Sequence, residues 1–356
     1  MKILILTLIF SFVIIYHGYC GVNIWTQGIG GVDDDVYCLM VDTTTSGRAY
    51  GAGYYMQRTM DGGLTWSTSH WAPYDSLCHS IVIDPLFFSI VWSGVHAGPF
   101  KSLDYGSTWD TTPTNLNAEA AAIYALFINP INRAKMYAAT SIGAAPFFVS
   151  SDTGISWQPS YTGMTSNGGA TFALVRHPQN INTFYGGIDG KPSVYITIDG
   201  CSTWQSKPTP FGAVESLAID PINPNVLYAG LYGEHYGETG GQIWKTLDGG
   251  DNWSQLTGYP LVKPVTNILI NPETTNFVYM ATWGAGVWKS KDAGETWSPI
   301  TTGLPQLHVW CLAYDSTIHK LYCGTGSNSG SDPPRGIWIY TDGDFPVGIE
   351  NWQKYK

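Results

Sequence analysis

Residues Lys289 to Trp297 read KSKDAGETW, and the same pattern recurs down the chain. Other copies are RTMDGGLTW (Arg58 to Trp66), KSLDYGSTW (Lys101 to Trp109), VSSDTGISW (Val149 to Trp157), ITIDGCSTW (Ile196 to Trp204) and KTLDGGDNW (Lys245 to Trp253). A degenerate seventh starts at Ile339, carries Asp342-Gly343 and ends at Asn351-Trp352. The shared aspartates are Asp61, Asp104, Asp152, Asp199, Asp248, Asp292 and Asp342, spaced 43, 48, 47, 49, 44 and 50 residues apart. A period in this range marks a repeat architecture in which each copy is one supersecondary unit.

Roughly 20 residues before each aspartate stands a second landmark, an apolar stretch that usually ends in Asp or Asn and then Pro. The copies are CLMVD (Cys38 to Asp42), SIVIDP (Ser80 to Pro85), ALFINP (Ala125 to Pro130), ALVRHP (Ala173 to Pro178), SLAIDP (Ser216 to Pro221), NILINP (Asn267 to Pro272) and CLAYD (Cys311 to Asp315). A short continuous apolar run bounded by a turn signal reads as a strand buried on both faces. Its first residue is small in nearly every copy, as expected where strands crowd a central axis. A second strand follows, as in VLYAG (Val226 to Gly230), and a third runs into the aspartate motif, as in GVWKS (Gly286 to Ser290). The motif's Trp opens a fourth.

Four short strands per repeat predict an all-β protein, a single seven-bladed β-propeller with four-stranded antiparallel blades, over residues 21–356. The motif aspartates then have a structural role, accepting backbone N–H bonds across the turn between third and fourth strands. The motif glycine supplies the positive φ that the turn needs. The ring can close in two ways. Ile24-Trp25-Thr26-Gln27 or Asn351-Trp352-Gln353 could complete the last blade, and the N-terminal segment is the favoured choice because it precedes the first inner strand as Trp297-Ser298-Pro299 precedes the seventh.

Residues 1–20 read as a signal peptide, with Lys2, the apolar run Ile3 to Ile15, and small residues Gly18 and Cys20 before a cleavage site at Gly21. Lipid attachment at Cys20 is the less favoured alternative. No later segment is apolar enough to span a membrane. The protein is therefore expected to be secreted or periplasmic, and a monomer. A formal net charge of -10 argues against nucleic acid as a partner, which needs a basic footprint. Five cysteines follow the leader, an odd and sparse set, with Cys311 and Cys323 placed as candidate cross-strand partners. No zinc-ligand spacing, phosphate loop or nucleophile elbow occurs, so neither metal nor cofactor is expected. Asp33-Asp34-Asp35 lacks the loop of a calcium site and reads as a solvated turn.

The motif SxDxGxTW resembles the Asp-box, or bacterial neuraminidase repeat. With stretches such as DPINPNVLYAG (Asp220 to Gly230), the chain is similar to the Asp-box propellers of xyloglucanases and sortilin ectodomains. That resemblance implies the fold across nearly all of the mature chain and leaves function open. The xyloglucanases pair two propellers around one cleft, and only one fits here. Sialidases need an arginine cluster, whereas this chain has only five arginines and no Arg-Ile-Pro. Sortilin-type receptors add cysteine-rich modules and a membrane span. Single-propeller photosystem II assembly factors match in size but lack the regular DPxNP stretch.

Aromatic residues number 13 Phe, 15 Trp and 22 Tyr, and most Trp fall on predicted strands or motifs. Trp71, Trp283 and Trp310 do not, and all three fall toward the mouth lined by fourth-to-first and second-to-third connections. Their company is polar and aromatic: His96, His308, Tyr232, Glu234 and His235. Aromatic faces beside carboxylates suit sugar binding. One position departs from the repeat. Just before the small residue of the inner strand stand Tyr37, His79, Tyr124, Phe172, Glu215, Thr266 and Trp310. A carboxyl there would be desolvated, with a raised pKa of the kind that a general acid needs. Arg176 is also unusual, where other copies are apolar.

These residues point to a non-catalytic binding or scaffolding propeller that recognises a polysaccharide or an exported protein at one mouth. The alternatives are a glycoside hydrolase, with Glu215 and Glu234 as candidate catalytic carboxyls, and a periplasmic assembly factor recognising peptides.

Overall fold

The computed structural model describes residues 23–69, 77–96, 98–110, 114–116, 122–141, 145–164, 170–190, 193–232, 240–259, 263–327 and 334–344. These form seven antiparallel sheets, numbered here as blades 1 to 7 in the order of their inner strands. The inner strands are Cys38–Val41, Cys78–Ile83, Ile123–Ile128, Thr171–Arg176, Val214–Ile219, Val265–Ile270 and Val309–Asp315. Each packs on the inner strand of the next blade, and the seventh packs on the first, so the sheets form a closed ring. The protein is a seven-bladed β-propeller. Six sheets have four strands, while blade 2 has three and continues its edge only as a bridge between Lys101 and Asp110.

Ring closure comes from the N-terminal segment. Strand Trp25–Gln27 is the outermost strand of blade 7 and pairs with Gly336–Thr341 in the register Trp25 to Tyr340, Thr26 to Ile339 and Gln27 to Trp338. Trp25 is buried and donates from Nε1 to the Ile300 carbonyl of blade 6 at 2.5 Å. The competing segment around Trp352 lies outside the described residues.

The apolar core divides into seven packets, one at each interface between neighbouring blades. Glycines at the ends of second strands let adjacent blades approach closely. A Cβ on Gly230 would fall 2.6 Å from Val265 Cγ1 of the next inner strand.

The repeated aspartates act as expected in six copies. In blade 1, Asp61 accepts from Thr59 Oγ1 at 2.8 Å, Thr65 N at 2.9 Å and Thr65 Oγ1 at 2.5 Å. Asp104, Asp152, Asp199, Asp248 and Asp292 repeat this arrangement. Hydrogen bonds from the Ser156 hydroxyl, the Ser156 amide and Ser150 hold the Asp152 carboxyl at about 2. The residue after each aspartate donates its amide to the turn between first and second strands of its own blade, for instance Thr153 to Ala134 at 3.0 Å and Gly249 to Asn225 at 2.9 Å. Both sets of turns therefore share one face, and the inner strands begin at the other.

The seventh copy departs from this pattern. Asp342 is buried and accepts from Tyr279 Oη at 2.6 Å and from Lys289 Nζ at 2.5 Å, so it ties blade 7 to blade 6 while its other oxygen accepts the Asp344 amide at 3.1 Å. The residue after the motif aspartate has positive φ whatever its type, including Thr153 at 58°. A β-branched residue is strained there by about 1–2 kcal/mol, while glycine gives back part of the gain through backbone entropy. Exposed Thr153 replaced by glycine should raise stability by roughly 1 kcal/mol in urea unfolding. An unchanged midpoint would mean that the Thr153 hydroxyl bond to the Asp152 carbonyl (2.6 Å) offsets the strain.

The turn after each inner strand is capped by the residue preceding the Pro position. Asp220 Oδ1 accepts from the Ile222 and Asn223 amides at 2.8 and 3.0 Å. In blade 4 the ring nitrogen His177 Nδ1 replaces the carboxylate and accepts from Gln179 and Asn180 at 3.2 and 3.1 Å. Burial and then the Arg176 charge lower its pKa, keeping that nitrogen an acceptor. Arg176 stands at this end of its strand, with its guanidinium near the His177 carbonyl.

The five described cysteines are buried thiols. Cys311 and Cys323 are not partners. Cys311 lies opposite Gly324 and Cys323 opposite Leu312, so the two side chains leave opposite faces of the sheet. The sulfurs that do meet belong to Cys38 and Cys78, 3.4 Å apart across the interface of blades 1 and 2.

Candidate functional site

Six of the seven inner strands carry a register shift at their first residues. In blade 5, Val214 pairs with Leu231 and Ser216 with Gly230, leaving Glu215 between them without a partner. Equivalent shifts leave out His79, Phe172, Thr266 and Trp310, and a shift at the start of blade 3 brackets Tyr124. A β-bulge frees one residue from the ladder and re-aims its side chain. Tyr37 occupies the same place just before the inner strand of blade 1. Sequence reading found this position through its unusual residue types.

These seven side chains surround one end of a central cavity of about 720 Å³. Blades 7, 1, 2, 3 and 4 supply a continuous aromatic arc. Ring centroids are 5.3 Å apart for Trp310 and Tyr37, 5.5 Å for Tyr37 and His79, 4.8 Å for His79 and Tyr124, and 4.9 Å for Tyr124 and Phe172. Trp283 extends the arc outward, 4.2 Å from Trp310 and 4.4 Å from His308. His96 extends it on the other side, 4.9 Å from His79. Tyr232 lines the same cavity beside Glu215. The structure thus brings together His79, His96, Tyr232, Trp283, His308, Trp310 and Glu215. The candidates Trp71, Glu234 and His235 lie outside the described residues.

Blades 5 and 6 close the ring with Glu215 and Thr266. Thr266 Oγ1 donates to the Val309 carbonyl at 2.6 Å. Glu215 has no hydrogen-bond partner among the described residues, and its pKa is pushed up to about 7, first by desolvation and then by the charge of Asp189. Asp189 comes from the connection after the second strand of blade 4 and was not singled out by sequence, since only packing between blades brings it near Glu215. Its Oδ1 is buried without a partner, as are His79 Nε2 and Trp310 Nε1. Burial, and then His96, lower the pKa of His79 to about 4, so its ring is neutral at pH 7.

Asp33, Asp34 and Asp35 are more constrained than a solvated turn. Arg335 reaches Asp33 at 3.4 Å and Asp35 at 3.3 Å, while Asp34 accepts the Tyr54 amide at 3.0 Å. Asp35 also accepts from Tyr37 Oη at 3.2 Å, anchoring one member of the aromatic arc.

No protein-family model matches the chain, and no curated protein matches it. Several solved structures share its fold. An ancestral GH74 enzyme is 18% identical with a TM-score of 0.64, over 88% of this chain and 47% of that one. The GH74 xyloglucanase of Xanthomonas campestris is 15% identical with a TM-score of 0.62, over 87% and 59%. YCF48 bound to D1 peptide is 15% identical with a TM-score of 0.63, over 90% and 96%. The chain spans about half the length of the two GH74 proteins. Identities this low establish the propeller fold alone. Among the described residues, no helix is long and apolar enough to cross a membrane.

Proposed function

We propose that this protein is a secreted binding module that takes a glycan chain at the aromatic mouth of its central channel. The supporting observation is the aromatic arc from Trp283 through Trp310, Tyr37, His79 and Tyr124 to Phe172. Sugar C–H faces pack on such rings, and hydroxyls find partners in the adjoining carboxyls and ring nitrogens. Secretion rests on the leader-like residues 1–20, and the fold likeness to a xyloglucanase is compatible with a polysaccharide partner.

Binding of an oligosaccharide should change the fluorescence of Trp283 and Trp310. Replacing Trp310 by alanine should weaken affinity about ten-fold or more, by removing one stacking face. Full retention of affinity in that variant, or no retention of any polysaccharide by the wild type, would sink the reading.

One observation favours a hydrolase as the second reading. Burial, and then the charge of Asp189, push the Glu215 carboxyl up to about 7, into the range that suits a general acid. A glycosidase also needs a second carboxyl at a defined separation, and Asp189 is its neighbour. Release of reducing ends that Glu215→Gln abolishes would establish that chemistry, and none from a broad panel would leave binding.

A further inference from the structure

Cysteine is scarce in this chain, yet two cysteines far apart in sequence touch. Cys38 Sγ and Cys78 Sγ lie 3.4 Å apart between the inner strands of blades 1 and 2. Both side chains are buried, and Cys38 borders the central cavity. Cys78 stands just before the bulge of its strand, while Cys38 is the small residue that opens the inner strand of blade 1.

The same two positions face each other at other interfaces. Ser80 Oγ donates to the Ile123 carbonyl at 2.9 Å between blades 2 and 3, and Cys311 Sγ approaches the Val36 carbonyl at 3.4 Å between blades 7 and 1. Of the seven interfaces, only that of blades 1 and 2 has cysteine at both positions. The others fill them with Ser, Ala, Asn or Cys against Val, Ile or Thr, so packing alone does not call for a pair of sulfurs. Two cysteines can be bridged without backbone movement only where their side chains point at each other. A sulfur contact of 3.4 Å is that arrangement.

We propose that Cys38 and Cys78 are a modification site, oxidised to a disulfide that staples blade 1 to blade 2 at the channel mouth. The oxidant is a low-molecular-weight disulfide, of the kind that persists outside the cytosol, where the leader-like residues 1–20 direct the chain. The Cys38 thiolate, reached from the channel, attacks one sulfur of that disulfide and releases the first small thiol. The Cys78 thiolate then displaces the second from the mixed disulfide. One S–S bond breaks and one forms, the protein loses two electrons, and its two thiol protons end on the released thiols. Tyr37 precedes Cys38 and His79 follows Cys78, so the bond ties together the chains that present two neighbouring rings of the arc. It needs no ligand, and success or failure of glycan binding bears on neither outcome of the test.

The test refolds the protein from urea in a mixture of reduced and oxidised glutathione, so that burial of the folded thiols does not decide the result. Trypsin cuts after Arg48 and Arg58, which places the two cysteines in separate peptides. The expected product is a linked pair of peptides holding Cys38 and Cys78, lost on adding reductant. Recovery of the two as free thiols, as glutathione adducts, or linked to Cys201, Cys311 or Cys323 would overturn the proposal.

Urea unfolding gives a second readout. Oxidation should raise the folding equilibrium constant by about a hundred-fold or more, by closing a loop in the unfolded chain between residues 40 apart. Cys78→Val installs the residue that blades 1, 5, 6 and 7 carry at this position. This variant should unfold at the midpoint of the reduced wild type and ignore reductant. A bond that forms but leaves the wild-type midpoint unmoved would also overturn the staple, since it would then strain the interface as much as it constrains the chain. Should the variant fail to fold, the wild type with and without reductant still decides.

Discussion

Replacing Lys289 by methionine is expected to lower the unfolding free energy by about 3–5 kcal/mol, the cost of stranding a buried charge. Lys289 is 4% exposed and Asp342 is 1% exposed, and their ion pair measures 2.5 Å. Asp344 approaches the same ammonium at 2.6 Å, and the Phe277 ring centroid lies 4.5 Å from it. Without Lys289, the Asp342 carboxylate keeps Tyr279 Oη and the Asp344 amide as its donors among the described residues, and no cation. Adding Asp342→Asn to Lys289→Met should recover much of the loss, because it removes the stranded charge. Urea unfolding of the two single variants and the double variant checks this. A single-variant effect below about 1 kcal/mol would place the pair in the class of solvated surface bridges.

The second large effect is on pH dependence. The Glu215 carboxyl is raised to about 7 from 4.5, so the folded protein binds an extra proton between those values. Its contribution is fully present below pH 4.5 and is lost as pH rises through 7. His79 is lowered to about 4 from 6.5, so the folded protein binds one proton fewer. That contribution is present above pH 6.5 and is lost as pH falls through 4. Each shift corresponds to about 2–3 kcal/mol after allowing for water in the channel.

The two slopes have opposite signs over nearly the same window, so these two groups should nearly cancel between pH 4.5 and 6.5, leaving the rise with pH that the lowered His177 contributes. Glu215→Gln should uncover a stability that rises with pH up to 6.5. Above pH 7 this variant should exceed the wild type by about 2–3 kcal/mol. Superimposable profiles of wild type and variant would show that Glu215 is solvated. The motif carboxyls lie clear of this window, since Asp104, Asp152, Asp199 and Asp248 all titrate near 2.

The repeat made the fold legible. Each blade announces itself through an aspartate turn and an inner strand, and the N-terminal strand betrayed itself through the spacing of Trp25 to the first inner strand. The ring of mouth residues was legible too, because one column of the repeat changes character while its neighbours stay small and apolar. The bulges that turn that column into the channel were not legible, since a register shift depends on pairing between strands and leaves no residue signature. Asp189 escaped for a related reason: its role arises from a neighbouring blade, and nothing local marks it. Asp342 reads as a turn residue from its Asp-Gly context, and only the buried Lys289 and Tyr279 of blade 6 reveal that it also ties two blades together. Cys311 and Cys323 look paired by distance from their turn, but a one-residue offset sends them to separate packets of the core.

The outermost strand of the last blade is the first strand among the described residues, and Thr26 bonds to Ile339 across 313 residues. Closing a loop of that length brings its entropic cost before any reward from contacts. Six blades can assemble in sequence from local hairpins, yet the circle stays open until strand Gly336–Thr341 is present to pair with Trp25–Gln27. Until then Trp25 has no blade 7 to enter, and the interface between blades 7 and 1 remains wet. Folding of this protein is thus local for most of its length and becomes all-or-none at its final step.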